Sequence, residues 1–252
     1  MSQNVLPEKV IFAYIEEPPF AWTNTENMPT GCDVDVVFTI LNMIGIKQIE
    51  IRKVTFPELI SGVVEQRWTV NTPMFITAGR SQLVQFSHPV WVLTDGFMVR
   101  KDIESTINSY DTLAQNINMR VGVVRDQVQH QRALNAGIVP ERIQIFEKQE
   151  DVVSALLNEQ VDVYIATAMG HRAFIESMGY KQLNVVELIA SDGNSTTSTS
   201  LGGYSFSKSD TKLIEAFNQA LTNYIGSQQH RVLMRSYGFS DSEIDYIASH
   251  YK

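Results

Sequence analysis

The 252-residue chain is poor in cysteine, in basic charge and in long apolar runs. Its single cysteine, Cys32, excludes an internal disulfide, so cysteine usage does not reveal a redox compartment. Placed after Gly31 with no base evident nearby, Cys32 reads as a small buried apolar residue, not as a nucleophile. Lys and Arg number 20 against 28 Asp and Glu, a net charge of -8. That balance opposes nucleic-acid binding and adhesion to an anionic membrane surface. No apolar run reaches the ~18 residues that span a bilayer. The opening Met1-Ser2-Gln3-Asn4 has neither a basic nor an apolar targeting region, so no signal peptide is expected in this sequence. The histidines, His88, His130, His171, His230 and His250, lack metal-ligand spacing. A Gly-rich phosphate loop and a Gly-x-Ser-x-Gly turn are both missing. No catalytic residue, metal or cofactor is therefore expected.

What is present suits a sizeable core: 44% of residues are apolar and 19% charged. The length fits one large domain or two of about 100–150 residues. Lys9 to Tyr14 reads as a buried strand, broken by Pro18-Pro19-Phe20. Val34, Val37, Phe38, Leu41 and Ile44 recur at helical spacing up to Gly45. Ile49 to Ile51 reads as a strand, Phe56 to Val64 as a helix, Val70 to Thr72 as a short strand, and Val90 to Val99 as extended. A second series follows, with strands at Val121 to Val124, Ile143 to Ile145 and Val161 to Ile165. Its helices are predicted at Gln127 to Ala136, Val152 to Leu157 and Met169 to Met178. Asp192 to Gly203 reads as a Gly/Ser/Thr/Asn-rich loop, and the remainder as helical, through Leu213, Phe217, Leu221 and Tyr224 and a last helix near His230 to Tyr237. Two successive β-α series argue for two α/β layers.

The most telling segment runs from Ile76 to Pro89, ITAGRSQLVQFSHP, with Arg80 between apolar neighbours and Phe86-Ser87-His88-Pro89 soon after. It resembles the Thr-Pro-Glu-Arg … Phe-Ser-x-Pro motif of solute-binding proteins that deliver polar amino acids to ABC importers, family 3 of the extracellular binders. Gly31-Cys32-Asp33-Val34-Asp35 is similar to that family's Thr-Gly-Phe-Asp-Val-Asp, Glu65 to Trp68 to its Gly-Arg-Phe-Asp, and Leu156 to Asp162 to its Leu-x-x-Gly-Arg-x-Asp. The resemblance covers nearly the whole chain. It implies a type II periplasmic binding protein fold with two hinge crossings: lobe one at residues 1–97 and 200–252, lobe two at 98–199. It further implies a monomer that binds a small zwitterionic ligand between closing lobes and presents it to membrane permease subunits. A periplasmic location follows, reached through a signal outside this sequence.

The resemblance also assigns roles. Arg80 would hold the ligand carboxylate with its planar fork of donors. Thr77, three residues earlier, would add hydroxyl and amide donors, and Phe75 reads as a pocket wall or core. Glu17 stands where many amino-acid binders have an aromatic, and reads as a counter-charge to a cationic ligand group or a solvated loop charge. Phe20 and Phe56 offer faces for stacking or cation–π contact, against ordinary core packing. Gln127 is the contact candidate in lobe two, with Asp126 as a helix cap. Thr167 stands where general amino-acid binders place an Asp for the α-ammonium. Trp68 and Trp91 read as core or lobe packing, against a place in the cleft, and Gly96 as a hinge. This site pattern is most similar to the ectoine-binding branch. A cationic amino acid, an opine and an N-substituted amino acid are the other ligands considered. Two rival readings share the fold: a cyclohexadienyl dehydratase-like enzyme, with Glu17 as its acid, and the ligand-sensing domain of a receptor.

Overall fold

The computed structural model describes residues 6–103, 107–188 and 199–251. The chain divides into two units, unit 1 being Met1–Val92 with Leu201–Lys252 and unit 2 being Leu93–Ser200. Part of the expected loop, residues 192–198, lies outside the described residues, as do the first five residues.

Unit 1 begins with β1 (Lys9–Tyr14), whose Val10, Phe12, Ala13 and Tyr14 are buried. A loop with a cis Pro18-Pro19 bond leads to the short ribbon β2 (Trp22–Thr23) and β3 (Pro29–Thr30). Helix α1 (Cys32–Met43) buries Val34, Val37 and Leu41 of the stripe its periodicity predicts, and Ile40 beside them, while Phe38 and Ile44 are only partly buried. β4 (Gln48–Lys53), α2 (Glu58–Val64), β5 (Val70–Phe75), the single turn α3 (Ala78–Ser81) and β6 (Gln85–Phe86) follow.

The loop before α1 is pinned to it by backbone. Cys32 N donates to Pro19 O at 3.0 Å and Asp33 N to Phe20 O at 2.9 Å, so loop carbonyls satisfy amides that a helix start leaves without intrahelical partners. Gly31 makes this approach possible. Its φ is +127°, and a Cβ there would stand 2.2 Å from Phe20 O. Gly31→Ala is expected to cost roughly 2–5 kcal/mol, the sum of backbone strain and overpacking. Urea unfolding of the variant measures it; a midpoint equal to wild type would contradict the packing described.

β7 (Trp91–Arg100) carries the chain out of unit 1. Unit 2 adds α4 (Tyr110–Gln115), β8 (Val121–Val124), α5 (Val128–Asn135), β9 (Ile143–Phe146), α6 (Gln149–Leu157), β10 (Val163–Thr167), α7 (Ala168–Met178) and β11 (Leu183–Glu187). Its strands lie in the order β11-β7-β10-β8-β9, antiparallel at β7 and parallel beyond β10. Phe97, Val99, Leu113, Val121, Val123, Val163 and Ile165 form its core. α7 ends at Gly179, whose left-handed φ of 67° makes the C-terminal turn.

Gly96 is not the free backbone joint its position suggested. It sits inside β7 paired with Ala166 and Glu187, and a Cβ would come within 2.8 Å of Ala168 Cα. Close packing of strand on helix N-terminus explains it.

β12 (Thr199–Phe206) returns the chain to unit 1, followed by α8 (Thr211–Tyr224), α9 (Gln228–Ser236) and α10 (Asp241–Ser249). The unit 1 sheet runs β4-β1-β5-β12, with β6 also on β12. Residues 201–206 are thus strand, not loop or helix. β5 also extends past its expected end, through Pro73 to Phe75. Its register against β12 slips between the Met74–Gly203 and Asn71–Ser205 pairs, a bulge that spares the missing N–H of Pro73. Tyr204 and Phe206 pack edge-on against Phe217 of α8, at 5.3 and 5.2 Å. Among the described residues, no helix is long and apolar enough to cross a membrane.

Candidate functional site

Two groups of side chains meet on unit 1, and Phe75 belongs to both. The first surrounds Arg80. Thr77 caps the one-turn helix α3, its Oγ1 accepting from Arg80 N at 3.2 Å. Arg80 Nη1 donates to Phe75 O at 2.9 Å, and the guanidinium carbon lies 5.3 Å from the Phe56 ring centroid. Together these contacts fix the plane of the fork against an aromatic face. Arg80 and Phe56 are both only partly buried.

The second group is an aromatic wall with acids behind it. Trp91 packs against Phe20 at 5.8 Å and, edge-on at 78°, against Phe75 at 5.6 Å. Its indole lies over Gly202, where a Cβ would fall 2.0 Å from the ring. Phe20, Phe75 and Trp91 are each nearly buried. Trp91 Nε1 donates to Asp33 Oδ1 at 3.0 Å, while Thr72 Oγ1 lies 3.0 Å from Asp33 Oδ2. Burial pushes the Asp33 carboxyl up to about 8, against the lowering effect of these hydrogen bonds and of the Cys32 thiol. Cys32 is buried as expected, and its thiol is pushed well up by loss of hydration and by Asp33.

Glu17 closes the loop that carries Phe20. It bridges to Ala21 and accepts Phe20 N on its carbonyl at 2.9 Å. Its side chain keeps some accessible surface, yet the protein packed around it removes enough hydration to raise its carboxyl to about 7. Glu17 in turn helps to raise Asp33. Trp68, by contrast, is core: it packs over Gly62, and its indole N–H bonds to Asn71 Oδ1.

In unit 2, Gln127 and Thr167 occupy the N-cap positions of α5 and α7. Gln127 makes no side-chain cap, and its buried Oε1 lacks a hydrogen-bond partner among the described residues. Thr167 is buried and its hydroxyl oxygen accepts Gly170 N at 3.2 Å. Asp126 does not cap α5: it holds a left-handed φ of 62° in the turn one residue before the cap. A cluster the sequence did not reveal lies beside them. Asp95, fully buried, accepts from Tyr110 Oη at 2.7 Å and Gln129 Nε2 at 2.8 Å, and pairs with Arg132, which also reaches Ser200 Oγ. Burial raises the Asp95 carboxyl, opposed chiefly by Arg132. Among the described residues, no group of three or more His, Cys, Asp or Glu could hold a metal ion.

The arrangement on unit 1 can orient an anion beside aromatic faces. The family model described as bacterial extracellular solute-binding proteins, family 3, matches residues 10–240. A curated relative from Sinorhizobium fredii, "Probable amino-acid ABC transporter periplasmic-binding protein y4tE", is 27% identical over 247 residues, covering 94% of this chain and 79% of the relative. Among solved structures, EhuB in complex with hydroxyectoine superposes with a TM-score of 0.84 at 21% identity, covering 96% of this chain and 91% of that one. An ancestral arginine-binding protein bound to glutamine gives a TM-score of 0.80 at 18% identity, covering 93% and 99%.

Proposed function

The chain belongs to the bacterial extracellular solute-binding proteins, family 3, and from that premise we propose that its ligand is a zwitterionic carboxylate bearing a cationic group. It has the two-lobed type II binding-protein fold and is a solute-binding protein of an ABC amino-acid uptake system. The observation that carries the ligand reading is Arg80, oriented by Phe75 O and the Phe56 ring beside the Thr77 cap. Arg80 and Thr77 hold the carboxylate. Phe20, Phe56 and Phe75 face the ligand body, and Glu17 answers its cation. Gln127 and Thr167 are the polar groups proposed from unit 2. The neutral Thr167 offers no charge to a free α-ammonium, which favours a ligand whose cation is delocalised in a ring, of the ectoine kind. The protein works as a monomer in the periplasm, and its macromolecular partners are the permease subunits. It turns over nothing.

A thermal-shift panel of L-arginine, L-glutamine, ectoine, hydroxyectoine, octopine and glycine betaine tests the ligand reading. A ligand at 100 times its dissociation constant adds about 2.7 kcal/mol, or roughly 5–10 °C in a chain of this size. No shift with any member would overturn the reading. One observation favours the dehydratase reading: a carboxyl raised to about 7, as Glu17 is, suits a general acid. Incubation with prephenate and arogenate separates the two, since a binding protein leaves both intact.

A further inference from the structure

Asp33 lies outside every set of ligand contacts considered above, yet four parts of unit 1 meet on it. Its amide holds Phe20 O, and with it the loop carrying Glu17 and Phe20. Its Oδ1 accepts the Trp91 indole N–H, and its Oδ2 meets Thr72 on β5, three residues before Phe75. Its carbonyl accepts Tyr204 Oη of β12 at 2.6 Å. It is 2% exposed, and no Lys or Arg forms a salt bridge to it among the described residues. A buried carboxyl without a cation is a costly choice where the only need is to fill space.

The rings explain its use. Trp91 touches both Phe20 and Phe75, with planes at 44° and 78° to theirs. Gly202 leaves one face of the indole against bare backbone, a surface on which a flat ring can slide. The hydrogen bond from Nε1 to Asp33 is the directional contact that stops it. We propose that Asp33 is the positioning residue of the aromatic side of the ligand site, fixing Trp91 and, through it, the rings of Phe20 and Phe75 that a ligand meets.

The inference rests on the ligand reading given above, and its test separates the two. Three variants are made in the full chain: Asp33→Asn, Asp33→Leu and Trp91→Phe. Asn keeps an acceptor for the indole and a donor for Thr72; Leu keeps the volume and removes both. In the free protein, hydrogen exchange of the Trp91 indole N–H, assigned by its loss in Trp91→Phe, is followed by NMR. It is expected to be slow in wild type and Asp33→Asn, and about tenfold or more faster in Asp33→Leu. Affinities for ectoine and L-arginine are then measured by calorimetry. Asp33→Leu is expected to lose about tenfold, and Asp33→Asn to stay within about threefold of wild type. Trp91→Phe, which removes the same bond from the other end, is expected to lose about fivefold or more. If Asp33→Leu does not fold, Trp91→Phe and the wild-type exchange rate still decide the matter. Fast exchange in wild type, or wild-type affinity in both Asp33→Leu and Trp91→Phe, would overturn the positioning role. If wild type binds neither probe the ligand assignment falls, and the exchange contrast alone judges Asp33.

Discussion

Arg80→Ala should lose at least about a hundredfold in affinity for any carboxylate ligand, with little change in melting temperature of the free protein. A charge-assisted hydrogen bond contributes about 1.5–3 kcal/mol, and stranding a buried carboxylate without its partner costs about 3–5 kcal/mol. At ~1.4 kcal/mol per decade the lower part of that range already exceeds two decades. Stability is expected to hold because Arg80 is only partly buried and sits on α3, a single turn none of whose residues is buried. Arg80→Lys keeps the charge and loses the planar fork, so an intermediate loss is expected. Calorimetric titration of both variants measures the effect. Undiminished binding by Arg80→Ala would place the carboxylate elsewhere.

Glu17→Gln should abolish a pH dependence that wild type shows. With its carboxyl at about 7, Glu17 is largely protonated at pH 6 and largely ionised at pH 8. A cationic ligand group requires the ionised form, so wild-type affinity should rise with pH, by about tenfold per unit below 7, and flatten above. At pH 8 the variant should bind about tenfold or more weakly, and across pH 5–8 its affinity should stay level. The free protein shows the linked effect with opposite sign. Below the ordinary carboxyl value of 4.5, both folded and unfolded Glu17 are protonated; between there and about 7 only the folded form keeps the proton. Stability therefore falls as pH rises through that window, and Glu17→Gln removes this contribution to the slope. Binding that is independent of pH in wild type would contradict the role of Glu17 as counter-charge.

The parts of this molecule that could be read from its sequence are those whose signal is local. Val34, Val37 and Leu41 carry a helical period, and α1 buries that stripe. Arg80, Thr77 and Phe75 lie within six residues of one another, and a single turn of helix brings them together. What escaped depends on partners far along the chain. β12 reads as loop because Gly202 and Gly203 interrupt it, and those glycines are there for the Trp91 ring and the Ser87 carbonyl. β5 reads as ending at Thr72 because Pro73 breaks the pattern, and only the register slip against β12 makes the proline tolerable. α10 did carry a local sign: Ser240 and Glu243 form a capping box at its start. The contacts of Asp33 were not legible, since nothing near it in sequence announces the indole of Trp91, 58 residues away.

The central assignment is a carboxylate held by Arg80. It is tested most directly by titrating wild type with L-arginine and ectoine, each beside its carboxamide, in one calorimetric series at pH 8. The expected result is 1:1 binding of at least one acid, with its carboxamide weaker by about a hundredfold or more. Equal binding of acid and carboxamide, or no binding of either acid, would contradict it.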